Sequence, residues 1–198
     1  MMPLSEMVTR IPVASNPYVL NRGRSDLCRL FADRGFRSGA EIGVWTGKFS
    51  KAICEAVPGV HLLCVDPWSY RADYHEKKND VMRLGSAYAE ARERLRSFNC
   101  ELMRMTSLEA VVRVPDRSLD FVYIDANHAR EHVLADLSAW SHKVRRGGVV
   151  SGHDFHTSPT RPWIEVEAAV RDFATSNLIG QWFVLAGDKS PSFFWVVS

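Results

Sequence analysis

Apolar residues in this chain follow two rhythms: short unbroken runs, and longer stretches where they recur every three or four positions. The run around 39–44 contains Ile42 and Val44, carries glycines at 43 and 47, and leads into an amphipathic stretch from Phe49 to Val57. That order predicts a strand, a tight turn and a helix. His61-Leu62-Leu63-Cys64-Val65-Asp66 is a second strand that ends in an acid. From Asn79, the positions Val81, Leu84, Tyr88, Ala91, Leu95 and Phe98 step by threes and fours, predicting a long helix that ends near Asn99. Its apolar stripe is core, and Glu90, Arg92, Glu93, Arg94 and Arg96 form a solvated face of mixed sign.

Glu101–Met105 predicts a short third strand, and Thr106-Ser107-Leu108-Glu109 a short helix capped by Thr106 or Ser107. Leu119–Ile124 is a buried fourth strand ending at Asp125, followed by a helix with Val133, Leu137, Trp140 and Val144 on one face. Arg145-Arg146-Gly147-Gly148 breaks that helix, and a fifth strand over 149–152 runs into His153-Asp154-Phe155-His156. A helix over 162–176 precedes two closing strands, 181–186 and 192–197, joined by the turn Gly187–Ser190. Upstream, Ser25 is the expected cap of a helix bearing Leu27, Leu30 and Phe31 and closed by Gly35. Residues 1–22, with Pro3, Pro12 and Pro17, read as a loose N-terminal arm, and 23–198 as a single domain. Strands alternating with helices imply a parallel sheet with right-handed crossovers, and the late hairpin requires one reversed strand.

Composition narrows the class. A chain of 198 residues that is 46% hydrophobic can fill one sizeable core. A net charge of +2 leaves no basic footprint, which argues against a nucleic-acid partner. Cys28, Cys54, Cys64 and Cys100 lack Cys-x-x-Cys pairing and read as reduced core thiols of a cytoplasmic protein. No apolar run is long enough to cross a membrane, and the first twenty residues lack the charged start and apolar centre of a leader peptide.

The candidate chemistry gathers where strands end. Glycines in the first turn allow close ligand approach, and the following helix start offers unpaired N–H groups. Glu41 beside that turn would repel a pyrophosphate but pair with an ammonium group. Asp66 follows 25 residues later, where nucleotide-binding α/β sheets place the acid that accepts ribose hydroxyls. A ligand with a ribose and an ammonium but no phosphate is S-adenosylmethionine (SAM). Trp68 leaves the second strand at the edge where ligands bind and is expected at the adenosine or substrate mouth; Tyr70 and Tyr74 fit that role or surface packing equally. Ser107 is either a helix cap or a contact to adenine.

The fourth and fifth strand ends concentrate Asp125, His128, His153, Asp154 and His156, enough for a general base or a metal site. The expected base is His153 or His128, with Asp125 and Asp154 orienting it or binding a metal. His128 and Asp136 could instead form a network at a helix start. His132 and His142 read as surface residues.

Taken together, Glu41-x-Gly43-x-x-x-Gly47, Asp66 and Tyr123-Ile124-Asp125 resemble the class I SAM-dependent methyltransferases over roughly residues 25–198. Asp125-x-x-His128 with Asp136, Gly147-Gly148 and His153-Asp154 is similar, more narrowly, to small O-methyltransferases of the catechol and macrocin kind. The resemblance implies a Rossmann-like, doubly wound α/β sheet of seven strands ordered 3-2-1-4-5-7-6, with strand 7 antiparallel. It places Glu41, Gly43 and Gly47 at the methionine end of SAM, with Trp45 standing in the turn where many relatives carry glycine. Asp66 would take the ribose, and Asp125 would lie beside the sulfonium. Catechol-type enzymes hold Mg²⁺ on oxygens at the ends of strands four and five; the matching residues here are Asp125, His153 and Asp154. A histidine in that set suits Zn, Mn, Fe or Ni better than Mg²⁺.

The implied activity is O-methylation of a small hydroxylated metabolite or sugar, with a small-molecule acceptor as partner and a homo-oligomer left open. Two alternatives stand beside it: a SAM-holding protein without turnover, and a nicotinamide-dependent oxidoreductase. The latter would need Gly-x-Gly-x-x-Gly at the first turn, which this chain lacks.

Overall fold

A computed structural model describes residues 3–10, 16–72, 74 and 80–198. Pro12, His75 and the expected helix start at Asn79 lie outside the described residues. The elements in chain order are α1 (Leu4–Arg10), β1 (Tyr18–Leu20), α2 (Arg24–Asp33), β2 (Ser38–Ile42), α3 (Lys48–Ala56), β3 (His61–Val65), α4 (Val81–Leu95) and β4 (Cys100–Met103). They continue with α5 (Ser107–Val111), β5 (Leu119–Ile124), α6 (Arg130–Ser141), β6 (Val144–Gly152), α7 (Val166–Ser176), β7 (Phe183–Leu185) and β8 (Ser192–Val196).

The strands form one sheet in the order β1-β7-β8-β6-β5-β2-β3-β4. Without β1 this is the expected seven-stranded order, and β8 runs antiparallel to both β6 and β7. The addition is β1, which lies within the arm and pairs in parallel with β7, Val19 opposite Val184. Helix α1 of the same arm buries Leu4, and Ser5 bonds to Asp33 of α2.

Alternation along the strands divides the interior into two layers. Ala40, Ile42, Val122 and Ile124 pack with Val133, Leu137 and Trp140 of α6 and Phe173 of α7. The residues between them, among them Cys64, Phe121 and Tyr123, pack against Leu27 and Phe31 of α2, Phe49 and Ile53 of α3 and Ala91 of α4. Glu41 follows the same alternation, so its carboxylate points to the α2–α3 side.

Three local expectations change. Ser25 does not cap α2; Gly23 stands at the cap and Asp188, from the β7–β8 turn, accepts the Arg24 N–H at 2.7 Å. Val144 begins β6 rather than ending α6, because the helix stops at Ser141 and Val144 pairs with Leu119. The Arg145–Gly148 segment is therefore the irregular start of a nine-residue strand. Thr106 caps α5 through a reciprocal pair with Glu109, as its spacing predicts. All four cysteines are free thiols, with Cys54 Sγ 3.5 Å from Cys100 Sγ. Among the described residues no helix is long and apolar enough to cross a membrane.

Candidate active site

Parallel strands in register finish together, and this gathers the chemistry. Ile42 pairs with Val65 and Ile124, and Ile124 with Gly152, so Gly43, Asp66, Asp125 and His153 each stand one residue past an aligned strand end. They lie where β2 turns to β3 on one side and β5 on the other, the switch point at which open α/β sheets bind ligands. A cavity of about 430 Å³ opens there, lined among others by Glu41, Gly43, Trp45, Asp66, Ser107 and Asp125. Its size falls within the roughly 300–1,000 Å³ usual for small-molecule sites.

The turn after β2 has a reason for each glycine. Gly43 has φ of 91°, and a Cβ there would stand 2.0 Å from the Asp125 carbonyl oxygen. Only glycine lets the β5 loop come this close. Gly47, with φ of 72°, starts α3 and seats it against Leu95 of α4, outside the cavity lining. Trp45 takes the left-handed φ of 51° itself, so the turn keeps a glycine-like shape while presenting an indole to the cavity.

Asp66 holds this turn from below. One carboxylate oxygen accepts the N–H groups of Val44 at 3.1 Å and Trp45 at 2.9 Å; the other accepts that of Trp68 at 2.8 Å. Trp68 requires a correction. It is 1% exposed, donates its indole N–H to the Trp45 carbonyl at 2.7 Å and packs on Tyr88, so it supports the turn from the core instead of lining the mouth. Tyr74 lines the cavity, whereas Tyr70 is exposed.

Glu41 is buried at 2% exposure and accepts a hydrogen bond from the Ser50 hydroxyl of α3. Burial pushes its carboxyl up to about 8, and the Ser50 bond offsets only part of that. Near neutral pH the site therefore contains a carboxyl group poised to release its proton to solvent when a cation arrives.

At the far end of the cavity, Ser107 donates to buried Asp136 and accepts the Trp140 indole N–H at 2.7 Å. Burial raises Asp136 to about 6. Ser107 is thus neither the α5 cap nor a bystander, and Asp136 joins the cavity wall together with His132, which the sequence placed at the surface.

Beside the cavity, and sharing Asp125 with it, lies the polar cluster of the β5 and β6 ends. His128 Nε2 is 3.2 Å from an Asp154 carboxylate oxygen and 3.6 Å from one of Asp125. His153 Nδ1 is 3.3 Å from Asp154 and 3.8 Å from Asp125, and His156 Nδ1 is 4.0 Å from Asp154. Asp154 has a φ of 53°, a conformation aspartate tolerates better than most residues and one that recurs at functional sites. Burial alone would raise its carboxyl, but hydrogen bonds from His128 and His153 and their charge hold it well below the usual carboxylate range. Ligand atoms of Asp125, His128 and Asp154 all lie within 4.8 Å of one another. The geometry thus adds His128 to the metal-ligand candidates and leaves His153 alongside Asp154.

One cavity residue gave no sequence signal. Arg24, the first residue of α2, reaches the lining with its guanidinium 5.0 Å above the Phe49 ring. It sat beside an expected cap, and only the fold brings it across to Glu41 and Asp125.

A family model described as a methyltransferase domain matches residues 40–155, more than half of the chain and the whole stretch from the middle of β2 to Phe155. The chain belongs to this methyltransferase family. The match includes Glu41, Asp66, Asp125 and Asp154 and leaves Arg24 outside. Solved structures share the fold at low sequence identity. Cofactor-bound Rv0187 from MTB superposes with a TM-score of 0.63 at 16% identity, over 97% of this chain and 85% of that one. The O-methyltransferase TomG from Streptomyces achromogenes, involved in tomaymycin synthesis and solved with SAM, gives 0.59 at 20% identity over 88% and 80%. An O-methyltransferase from Bacillus cereus in complex with SAH gives 0.61 at 16% identity over 98% and 87%. No curated protein sequence matches the chain.

Proposed function

We propose that this methyltransferase uses SAM to methylate a hydroxyl oxygen of a small molecule. The observation that carries the reading is the pair of acids at neighbouring strand ends, Glu41 and Asp66, lining one cavity with Asp125 between them and the histidine cluster. Glu41 suits the donor's ammonium group. Asp66 suits the ribose hydroxyls, and Ala126, Asn127 and Ser107 line the space beyond for adenine. Asp125 then stands beside the sulfonium, where a carboxylate stabilises positive charge. Similarity in fold to O-methyltransferases bound to SAM or SAH supports the same cofactor and the same acceptor atom.

The transfer needs the acceptor oxygen in line with the methyl carbon, about 3 Å away, and free of its proton as the new bond forms. The oxygen attacks the methyl carbon, the carbon–sulfur bond breaks with its electron pair going to sulfur, and SAH leaves. His153 is the assigned base: it is less buried than His128 and closer to Asp154 than His156, and that carboxylate orients it and stabilises its protonated form. His128, deeper and held between Asp125 and Asp154, fixes those two carboxylates.

Asp125, His128 and Asp154 also fit a divalent cation, since two carboxylates and an imidazole converge within 4.8 Å. A mixed oxygen and nitrogen set suits Mn, Fe, Zn or Ni. When bound there, such an ion supplies Lewis acidity that lowers the pKa of a nearby hydroxyl. The test is transfer of the labelled methyl group of SAM to a panel of phenols, sugars and other hydroxylated compounds. Label appearing as a methyl ether with equal SAH is the expected result; label on nitrogen or carbon acceptors alone would refute the assignment.

A further inference from the structure

Resting on the SAM reading, we infer that Arg24 is the clamp for the carboxylate of the methyl donor's amino-acid end. The argument begins with charge. The head group of SAM is a zwitterion, its ammonium and carboxylate carried on one carbon, so a site with Glu41 for the first needs a cation close by for the second. Three cationic side chains line the cavity at its β2 side and mouth: Arg24, Lys48 and Arg71. Lys48 is exposed, where its charge is screened, and Arg71 is exposed near the Asp66 end. Arg24 is half-buried and shares its surroundings with Glu41 and Asp125.

The fold also holds Arg24 in place. Its backbone N–H is fixed by Asp188, and its guanidinium lies on the face of Phe49, which itself leans on Tyr123 with ring centres 4.3 Å apart. A guanidinium laid on an aromatic ring has its edge N–H groups directed sideways, ready for two parallel bonds to a carboxylate. Arg145, Arg130 and Arg171 each bind a carboxylate of the fold within 3.0 Å. Among the described residues Arg24 makes no ion pair of that length; its guanidinium bonds to the Tyr123 side chain and senses Asp125 and Asp188 only at longer range, so a half-buried cation at the cavity keeps N–H groups for an arriving carboxylate. Residue 24 lies on α2, ahead of the segment that the family model matches.

The experiment compares two ligands by calorimetry: SAH, which carries the amino-acid head, and methylthioadenosine, which lacks it. Arg24→Met is expected to weaken SAH by roughly 10- to 100-fold, the worth of a charge-assisted bond, and to leave methylthioadenosine within twofold. Arg24→Lys is expected to recover part of the loss, since it restores charge without the paired geometry. Unchanged SAH affinity in Arg24→Met, with or without a raised KM for the acceptor, overturns the assignment. An equal loss for both ligands also overturns it, because Arg24 would then act through the fold. If the wild-type protein binds neither ligand, the SAM reading itself fails and this inference falls with it.

Discussion

Replacing Glu41 with glutamine should make the protein more stable and a poorer binder at once. The carboxyl is fully enclosed and its pKa rises from 4.5 to about 8. A group whose folded pKa is raised stabilises fully below its unfolded value, and loses that contribution as pH climbs towards the folded value. At pH 7 the loss covers the interval from 4.5 upward, on the order of 3 kcal/mol at 1.36 kcal/mol per pH unit; above pH 8 it levels off near roughly 5 kcal/mol. Glutamine has no such titration and can keep the Ser50 hydroxyl as a partner. Denaturant unfolding of Glu41→Gln and wild type should therefore coincide near pH 4.5 and diverge by about 3 kcal/mol at pH 7 in favour of the variant. Calorimetry at pH 7 should show the reverse order for SAH, weaker in the variant by roughly tenfold or more, as expected for a lost charged hydrogen bond. Wild-type binding should also release protons, because Glu41 ionises as it meets the ammonium. A variant less stable than wild type at pH 8.5, or one with equal SAH affinity, would refute the reasoning.

Other substitutions probe the support around that site. Gly43→Ala puts a Cβ 2.0 Å from the Asp125 carbonyl at φ of 91°, and should lower stability by roughly 2 kcal/mol or more in thermal unfolding, with SAH binding lost as the turn shifts. Asp66→Ala should abolish SAH binding and, by stripping the acceptor from the N–H groups of Val44, Trp45 and Trp68, also cost about 1–3 kcal/mol, read from denaturant midpoints. Exhaustive chelation should reduce turnover, with recovery on adding Mn²⁺ or Zn²⁺; full activity in the chelated protein would leave His153 as base without a metal.

Much of this was legible in the sequence because parallel strands end in register. Apolar runs mark the strand ends, so Glu41, Asp66 and Asp125 had to collect at one edge once the alternation with helices was recognised. Asp154 and the histidines came with them for the same reason. The failures lie where local pattern cannot choose between environments. An indole after a strand suits a ligand mouth or a core equally, and Trp68 was decided by a bond to the Trp45 carbonyl that only the folded turn offers. Strand β1 has three residues and no period of its own; its pairing with β7 bridges nearly the whole chain. The Asp188 cap of α2 shares that origin, since the β7–β8 turn must return to the second helix before the contact exists, and Arg24 becomes a cavity residue only when α2 packs over Phe49 of α3. The spacing of Val144 continues the helical stripe of α6, while the strand beside it claims the residue through Leu119.

The most direct measurement is a crystal structure of the protein grown with SAH. The SAH amine should lie within hydrogen-bond distance of Glu41, the ribose hydroxyls against Asp66 and the sulfur facing Asp125. SAH bound in another place or reversed in this cavity, or a cavity that stays closed to it, would contradict the central claim that these strand-end acids hold the methyl donor.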